Sequence, residues 1–253
     1  MNEQLFLSNI RGVLIRLEET IIFALIERCQ FRANPRVYDT REFSESTGAL
    51  SLMHFLLLET EKTQAKMRRY TSPDEHPFCR DLPSPILPEL RYDESPLHPN
   101  TINLNPQLLG TYQTEMVPFL CEPGDDQQYG SSCVADVTCL QALSKRIHYG
   151  MFVAESKYQS GQSLYQGLIK AEDRDGIMAA LTDQAVEDQV ARRVAAKTRT
   201  YAAELMANNG NAANPRVHPD RFAEVYRRWV IPLTKDVELF YLLNRLSDEP
   251  TAR

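Results

Sequence analysis

Residues 140–160, LQALSKRIHYGMFVAESKYQS, decide the architecture. With the residues just before them, they set Cys133, Val137, Leu140, Ser144, Ile147, Met151, Ala154 and Tyr158 at alternating steps of four and three, one face of a single long helix. That face is the expected core seam. Beside it, Leu143, Arg146, Gly150, Val153 and Lys157 form a second stripe whose two cations point within about 20° of each other, with Cα atoms about 16 Å apart. Gly150 between them costs roughly 1 kcal/mol relative to alanine in a helix interior and opens a gap in the side-chain wall. A compact dianion fits such a gap. The plainer reading is that Arg146 and Lys157 border a core face and snorkel to water, and this stretch by itself supports both.

Outward from that helix the pattern stays helical. Residues 4–29 carry a heptad-like seam, Leu7, Ile10, Leu14, Leu17, Ile21 and Ala24, with Arg11 beside it. Residues 48–70 are helical through Leu50, Met53, Leu57 and Met67 and end on Arg68 and Arg69, a match to the C-terminal dipole. Ten of the fifteen prolines fall in 73–123, loop and short-helix territory, where Asn105 and Pro106 read as the N-cap and first position of a helix to about Leu120. Residues 124–132, GDDQQYGSS, read as a turn. Thr182 or Asp183 caps a helix in which Asp183 and Glu187 share a face near the N-terminus, again a dipole match. After a loop at 208–219, Pro219 opens a closing helix that Pro232 should kink. Past it, Thr234 and Glu238 stand one turn apart, and Glu238 lies among Val237, Leu239, Phe240, Leu242 and Leu243, so burial on at least one side is expected, with either a partner or a raised pKa.

There is no strand alternation and no repeat. The expectation is an all-α, many-helix bundle, one domain over 1–253 with a proline-rich loop region at about 71–130, its long helices continuing across a subunit boundary in a helical homodimer. A net charge of -6 gives no general attraction to nucleic acid or anionic membranes, so any anion site is local. Five cysteines without a CxxC pair indicate neither a disulfide framework nor a zinc site. A reducing compartment follows, and with neither a signal-like start nor an 18-residue apolar run the protein reads as cytoplasmic. HExxH, GxSxG, P-loop and GxGxxG are absent, so no metal site is expected.

The blocks NIRGVLIRLEETIIFALIER (9–28), MRRYTSPDEHPF (67–78), CLQALSKRIHYGMFVAESKYQ (139–159) and IPLTKDVELFYLLNRL (231–246) resemble the allosteric, all-helical chorismate mutase of fungi over essentially the whole chain. The resemblance implies a Claisen rearrangement of chorismate to prephenate, in tyrosine and phenylalanine biosynthesis, with no cofactor and no covalent intermediate. It implies carboxylate-binding roles for Arg11 and Arg146, ether-oxygen contacts for Lys157 and Glu238, and pocket roles for Asp183, Glu187 and Thr234. A pericyclic reaction needs its flexible substrate held in a compact conformer and the charge separating across the breaking C–O bond stabilised, which this residue set suits.

The resemblance also implies inhibition by tyrosine and activation by tryptophan at a dimer interface. Arg68 and Arg69 match its arginines and Gly130 and Ser131 its effector-capturing loop, while Glu18 matches a glutamate near the effector's ring. This chain departs from the family by Asp183 and Gln128 in place of asparagines, and by Val134 and His218 in place of threonines. An ionised Asp183 repels a dianion, and Val134 lacks a hydroxyl for the tyrosine phenol. Composition alone equally allows a non-enzymatic acidic helical adaptor that binds anionic peptides. An adaptor needs an open groove of exposed cations; a mutase needs Glu238 enclosed with Lys157.

Overall fold

The computed structural model describes residues 5–89, 95–209 and 216–247, and among these there is no β-strand. The helices are α1 (Leu7–Arg28), α2 (Ser44–Thr47), α3 (Leu52–Lys66), α4 (Asn105–Thr111), α5 (Val117–Leu120), α6 (Tyr129–His148), α7 (Gly150–Ser160), α8 (Gln162–Lys170), α9 (Arg174–Leu181), α10 (Gln184–Asn209), α11 (Pro219–Val225) and α12 (Ile231–Asn244). The 208–219 loop lies outside the described residues over 210–215. No helix of the described residues is long and apolar enough to cross a membrane.

The seam read from 133–158 is buried at every position, from Leu140 and Ile147 at 0% exposure to Val137 at 5%. The single long helix expected there is instead two: α6 ends at His148 and α7 begins at Gly150. Tyr149 between them keeps right-handed backbone (φ -61, ψ -13), so the axis carries on and the seam holds. α1 packs mainly on α6, α12 on α7, and α10 on α11, with α1 also against α10. These contacts wrap the central pair on three sides.

Local chemistry sets the boundaries. Asn105 is the first residue of α4 rather than its cap: Leu104 holds the cap position without a side-chain cap, Asn103 Oδ1 accepts from Asn105 N at 2.9 Å, and the Asn105 amide turns to His76 O. The helix expected to run to about Leu120 does so through a π-helical turn at Tyr112–Met116, and a second one, Tyr226–Val230, joins α11 to α12. Both turns stand just ahead of a proline, Pro118 and Pro232, whose missing N–H and bulky ring break the regular ladder. A π turn adds one residue, rotating all that follows by about 100° relative to an unbroken helix. The expected kink at Pro232 is thus a change of register.

Two further expectations shift. α3 stops at Lys66, so Arg68 and Arg69 stand in the turn beyond it rather than on its last turn, with Arg68 in the left-handed region at φ 65. The turn assigned to 124–132 ends early, because α6 already begins at Tyr129 and takes Gly130 and Ser131 into its first turn. Inside, Arg28 ties α1 to α6 through Asp136 at 2.5 Å, and the hydroxyls of Tyr38 and Tyr112 donate to the same carboxylate. Each buried oxygen is thereby satisfied, as a buried carboxylate requires.

Candidate active site

α12 is brought against α7 by a glycine. A Cβ at Gly150 would lie 3.0 Å from both the Thr234 Cγ2 and the Thr234 carbonyl oxygen, and 3.3 Å from Glu238 Cγ. The gap in the side-chain wall is therefore filled by a neighbouring helix, not left for a ligand. Its effect is to seat Thr234 and Glu238 beside Arg146 and Lys157. Because a backbone oxygen cannot yield as a side-chain tip does, Gly150→Ala is expected to lower stability by about 1–3 kcal/mol, read as a drop in melting temperature. Turnover should fall with it as Glu238 is pushed away from Lys157. Glu155 clamps the other end of the same helix pair, accepting from Tyr241 Oη and Arg245 Nε, both at 2.6 Å.

Glu238 is 5% exposed and its Oε2 is buried without a hydrogen-bond partner. Lys157 Nζ lies 3.9 Å from that oxygen, close enough for attraction and too far for a hydrogen bond, and donates instead to Leu181 O at 2.6 Å. Burial pushes the Glu238 carboxyl up to about 7 against the pull of Lys157, Arg146 and Lys235. Desolvation wins over the nearby cations, the balance that a hydrogen-bond donor at this position needs.

Arg146 is the second unusual group. It is 8% exposed, its Nη1 donates weakly to Thr234 Oγ1 at 3.4 Å, and no carboxylate of the described residues lies within 4 Å of it. Burial pulls the guanidinium below its ordinary value, opposed by Tyr226, Glu238 and Glu18. Burying a cation without a carboxylate costs several kcal/mol in general, a cost that a bound anion offsets. Thr234 in turn donates to Val230 O at 2.7 Å, so its lone pairs face the guanidinium.

The remaining residues frame this pair. Glu187 on α10 is half-buried and pairs with Lys235 of α12 at 3.1 Å. Asp183 is exposed, and its Oδ1 accepts from Ala185 N and Val186 N, so it caps α10. Arg11 is exposed on α1, seven residues before Glu18 and hence on the same face. Glu18, matched by the resemblance to an effector glutamate, lies on α1. It is buried toward α10, held by Arg193 at 2.7 Å and Lys197 at 3.3 Å. Lys235, Arg193 and the buried, unpartnered Tyr226 hydroxyl also belong to this neighbourhood, and nothing in their sequence spacing marked them.

The expected effector residues fall in two places. Gly130, Ser131 and Val134 line a groove of about 870 Å³ with Thr20, Phe23 and Glu27, and Gln128 stands exposed just before α6. Arg69 borders a different cleft, of about 650 Å³, with Tyr70, Phe78 and Arg80. Tyr70 and Glu75 fasten the Arg69 turn to Gln141 and Lys145 of α6, eleven to fifteen residues beyond Gly130, which is about 16–22 Å along the helix. One chain does not bring the two sets together.

Known proteins resemble this chain over nearly its whole length. The family described as "Chorismate mutase type II" matches residues 129–239. A chloroplastic chorismate mutase 1 of Petunia hybrida is 46% identical over 97% of this chain and 77% of its own length, and the chorismate mutase of Schizosaccharomyces pombe is 45% identical over 97% and 98%. Among solved structures, AtCM1 with tyrosine bound in its allosteric site superposes with a TM-score of 0.88 at 44% identity, covering 97% of this chain and 98% of that one. Aro7p chorismate mutase of Candida albicans, in complex with L-Trp, gives 0.86 at 39% identity, covering 98% and 94%.

Proposed function

This chain belongs to the type II chorismate mutase family and is an isomerase, a chorismate mutase, and we propose that it rearranges chorismate to prephenate between α1, α6–α7, α10 and α12. The observation that carries the siting is Arg146, a buried guanidinium without a carboxylate, facing a carboxyl held close to neutrality. A guanidinium forks onto a carboxylate, and Arg146 with Arg11 supplies one cation for each end of a dianion. Lys157 and protonated Glu238 then donate to the ether oxygen, which gains negative charge only as the C–O bond breaks, so these contacts favour the transition state over the substrate. Glu187 accepts from the substrate hydroxyl. Asp183, exposed and engaged as a cap, is assigned to holding α10. The enclosed Glu238 is the feature that an adaptor with an open cationic groove lacks.

We further assign regulation to tyrosine as inhibitor and tryptophan as activator. In support, the related structures hold Tyr and L-Trp, and the α6 N-terminus at Gly130 and Ser131 offers unpaired N–H groups to a carboxylate. Since Arg68 and Arg69 lie far along α6 from that groove, a second copy of the chain completes the site; exposed Phe23 and Val134 beside the groove suit a homodimer. The five free, buried thiols suit a reducing cytoplasm.

Loss of chorismate absorbance, followed with no addition, with tyrosine and with tryptophan, tests both readings. Turnover that tryptophan raises and tyrosine lowers is the expected result. Turnover indifferent to both removes the regulation and keeps the mutase. No turnover under any condition overturns the siting.

A further inference from the structure

We propose that Glu75 is an internal stand-in for the effector's carboxylate on Arg69, and that its release passes the signal to Lys145, the residue beside Arg146. This rests on the reading of Arg69 as an effector contact. Arg69 stands in a turn whose neighbours Arg68 and Tyr70 are both left-handed, at φ 65 and 69. Such backbone is strained for residues with a side chain and persists only where its surroundings hold it. Glu75 is what holds it here. Its Oε2 accepts from Arg69 Nε at 2.9 Å and from Tyr70 N at 3.3 Å.

The same carboxylate reaches the central helix. Glu75 Oε1 accepts from Lys145 Nζ at 3.3 Å, and Asp74 Oδ2 lies 3.2 Å from the same ammonium. On either side, Gln141 donates to Gln64 Oε1 at 2.7 Å and to Tyr70 Oη at 3.3 Å, and the His76 ring stacks on His148 at 4.2 Å between centroids. The segment from Arg69 to His76 is thus fastened to α6 at 141, 145 and 148, a span that contains Arg146.

One carboxylate occupies the Nε edge of a guanidinium at a time, so an amino acid that takes Arg69 by that edge displaces Glu75. The displaced carboxylate keeps its second partner. Lys145, until then shared with Asp74 and half of Glu75, gains the whole charge and draws that turn of α6 toward the strap. The adjacent Arg146 moves with it.

Glu75→Gln separates this from a merely structural role, because it predicts opposite changes in two readouts. With its charged competitor gone, tyrosine and tryptophan should bind roughly two- to fivefold more tightly by calorimetry, the weight of a partly exposed ion pair. Yet their shift of the chorismate midpoint should shrink severalfold, since an amide hands no charge to Lys145. Lys145→Met should also abolish most of that shift without tightening effector binding. A Glu75→Gln protein that binds the amino acids no more tightly, or that keeps the full shift, overturns the proposal while the effector site stands. An unaltered protein that binds neither amino acid overturns the effector site and this proposal together.

Discussion

Arg146→Met is expected to lower kcat/KM about 10³-fold and to leave the melting temperature unchanged or raised. The loss follows from removing one member of an enclosed guanidinium–carboxylate pair, worth about 2–5 kcal/mol when the anion is bound and buried. The stability result has the opposite sign because, without substrate, Arg146 is 8% exposed and has no carboxylate within reach. An apolar side chain of similar length ends that desolvation penalty, and such replacements of buried charge are often neutral or stabilising by about 1–4 kcal/mol. Activity by chorismate absorbance and melting by calorimetry measure both. A variant that keeps its turnover removes Arg146 from the substrate site. One that loses turnover together with many degrees of stability makes it a structural residue.

Glu238→Gln is expected to change the shape of the pH profile rather than only its height. With its carboxyl pushed up to about 7, the group is protonated and able to donate below that pH. For the unaltered protein, kcat/KM should therefore fall about tenfold per pH unit above neutrality. A bound dianion disfavours ionisation further, so the limb in kcat should lie at higher pH than the limb in kcat/KM. Glutamine donates at every pH, and its profile should be flat through this range. Superimposable profiles for the two proteins would remove Glu238 as proton-bearing donor.

The same carboxyl makes a stability prediction with a definite sign. Its folded pKa is raised from 4.5 to about 7, so its favourable contribution is full below about 4.5 and is lost as pH rises to about 7. The lost part is on the order of 3 kcal/mol. At pH 8 the glutamine variant should accordingly melt above the unaltered protein, and at pH 5 the two should differ little. Catalysis and stability are opposed at this one residue.

How much of this was legible beforehand varies residue by residue. The α6–α7 seam was fully legible, since eight positions at steps of four and three leave one helical face to bury, and all eight are buried. Glu238 was legible in part: the apolar run marked it for burial, while the choice between a partner and a raised pKa rested on the tertiary structure. The first turn of α1 was not. Its seam residue Leu7 is 43% exposed, since periodicity marks an apolar face without saying what covers it. The partners of Glu18 were not legible for a related reason: they are set by where Arg193 and Lys197 of α10 arrive.

Sequence by itself determined the helical class, the core seam, the opposed chemistry of Arg146 and Glu238, and the family to which these motifs belong. The core seam follows from spacing along one chain segment, the burial of Glu238 from the apolar run around it, and the family and the role of Arg146 from the resemblance of four separate blocks. Only the tertiary structure decided that Gly150 admits α12 rather than a ligand, and that a π-helical turn ahead of Pro232 rotates Thr234 and Glu238 toward it. It also decided that Glu75 holds Arg69 and Lys145 at once. These are meetings between segments distant in sequence. Their outcome depends on close packing and on which buried charges find partners, terms that no periodicity encodes.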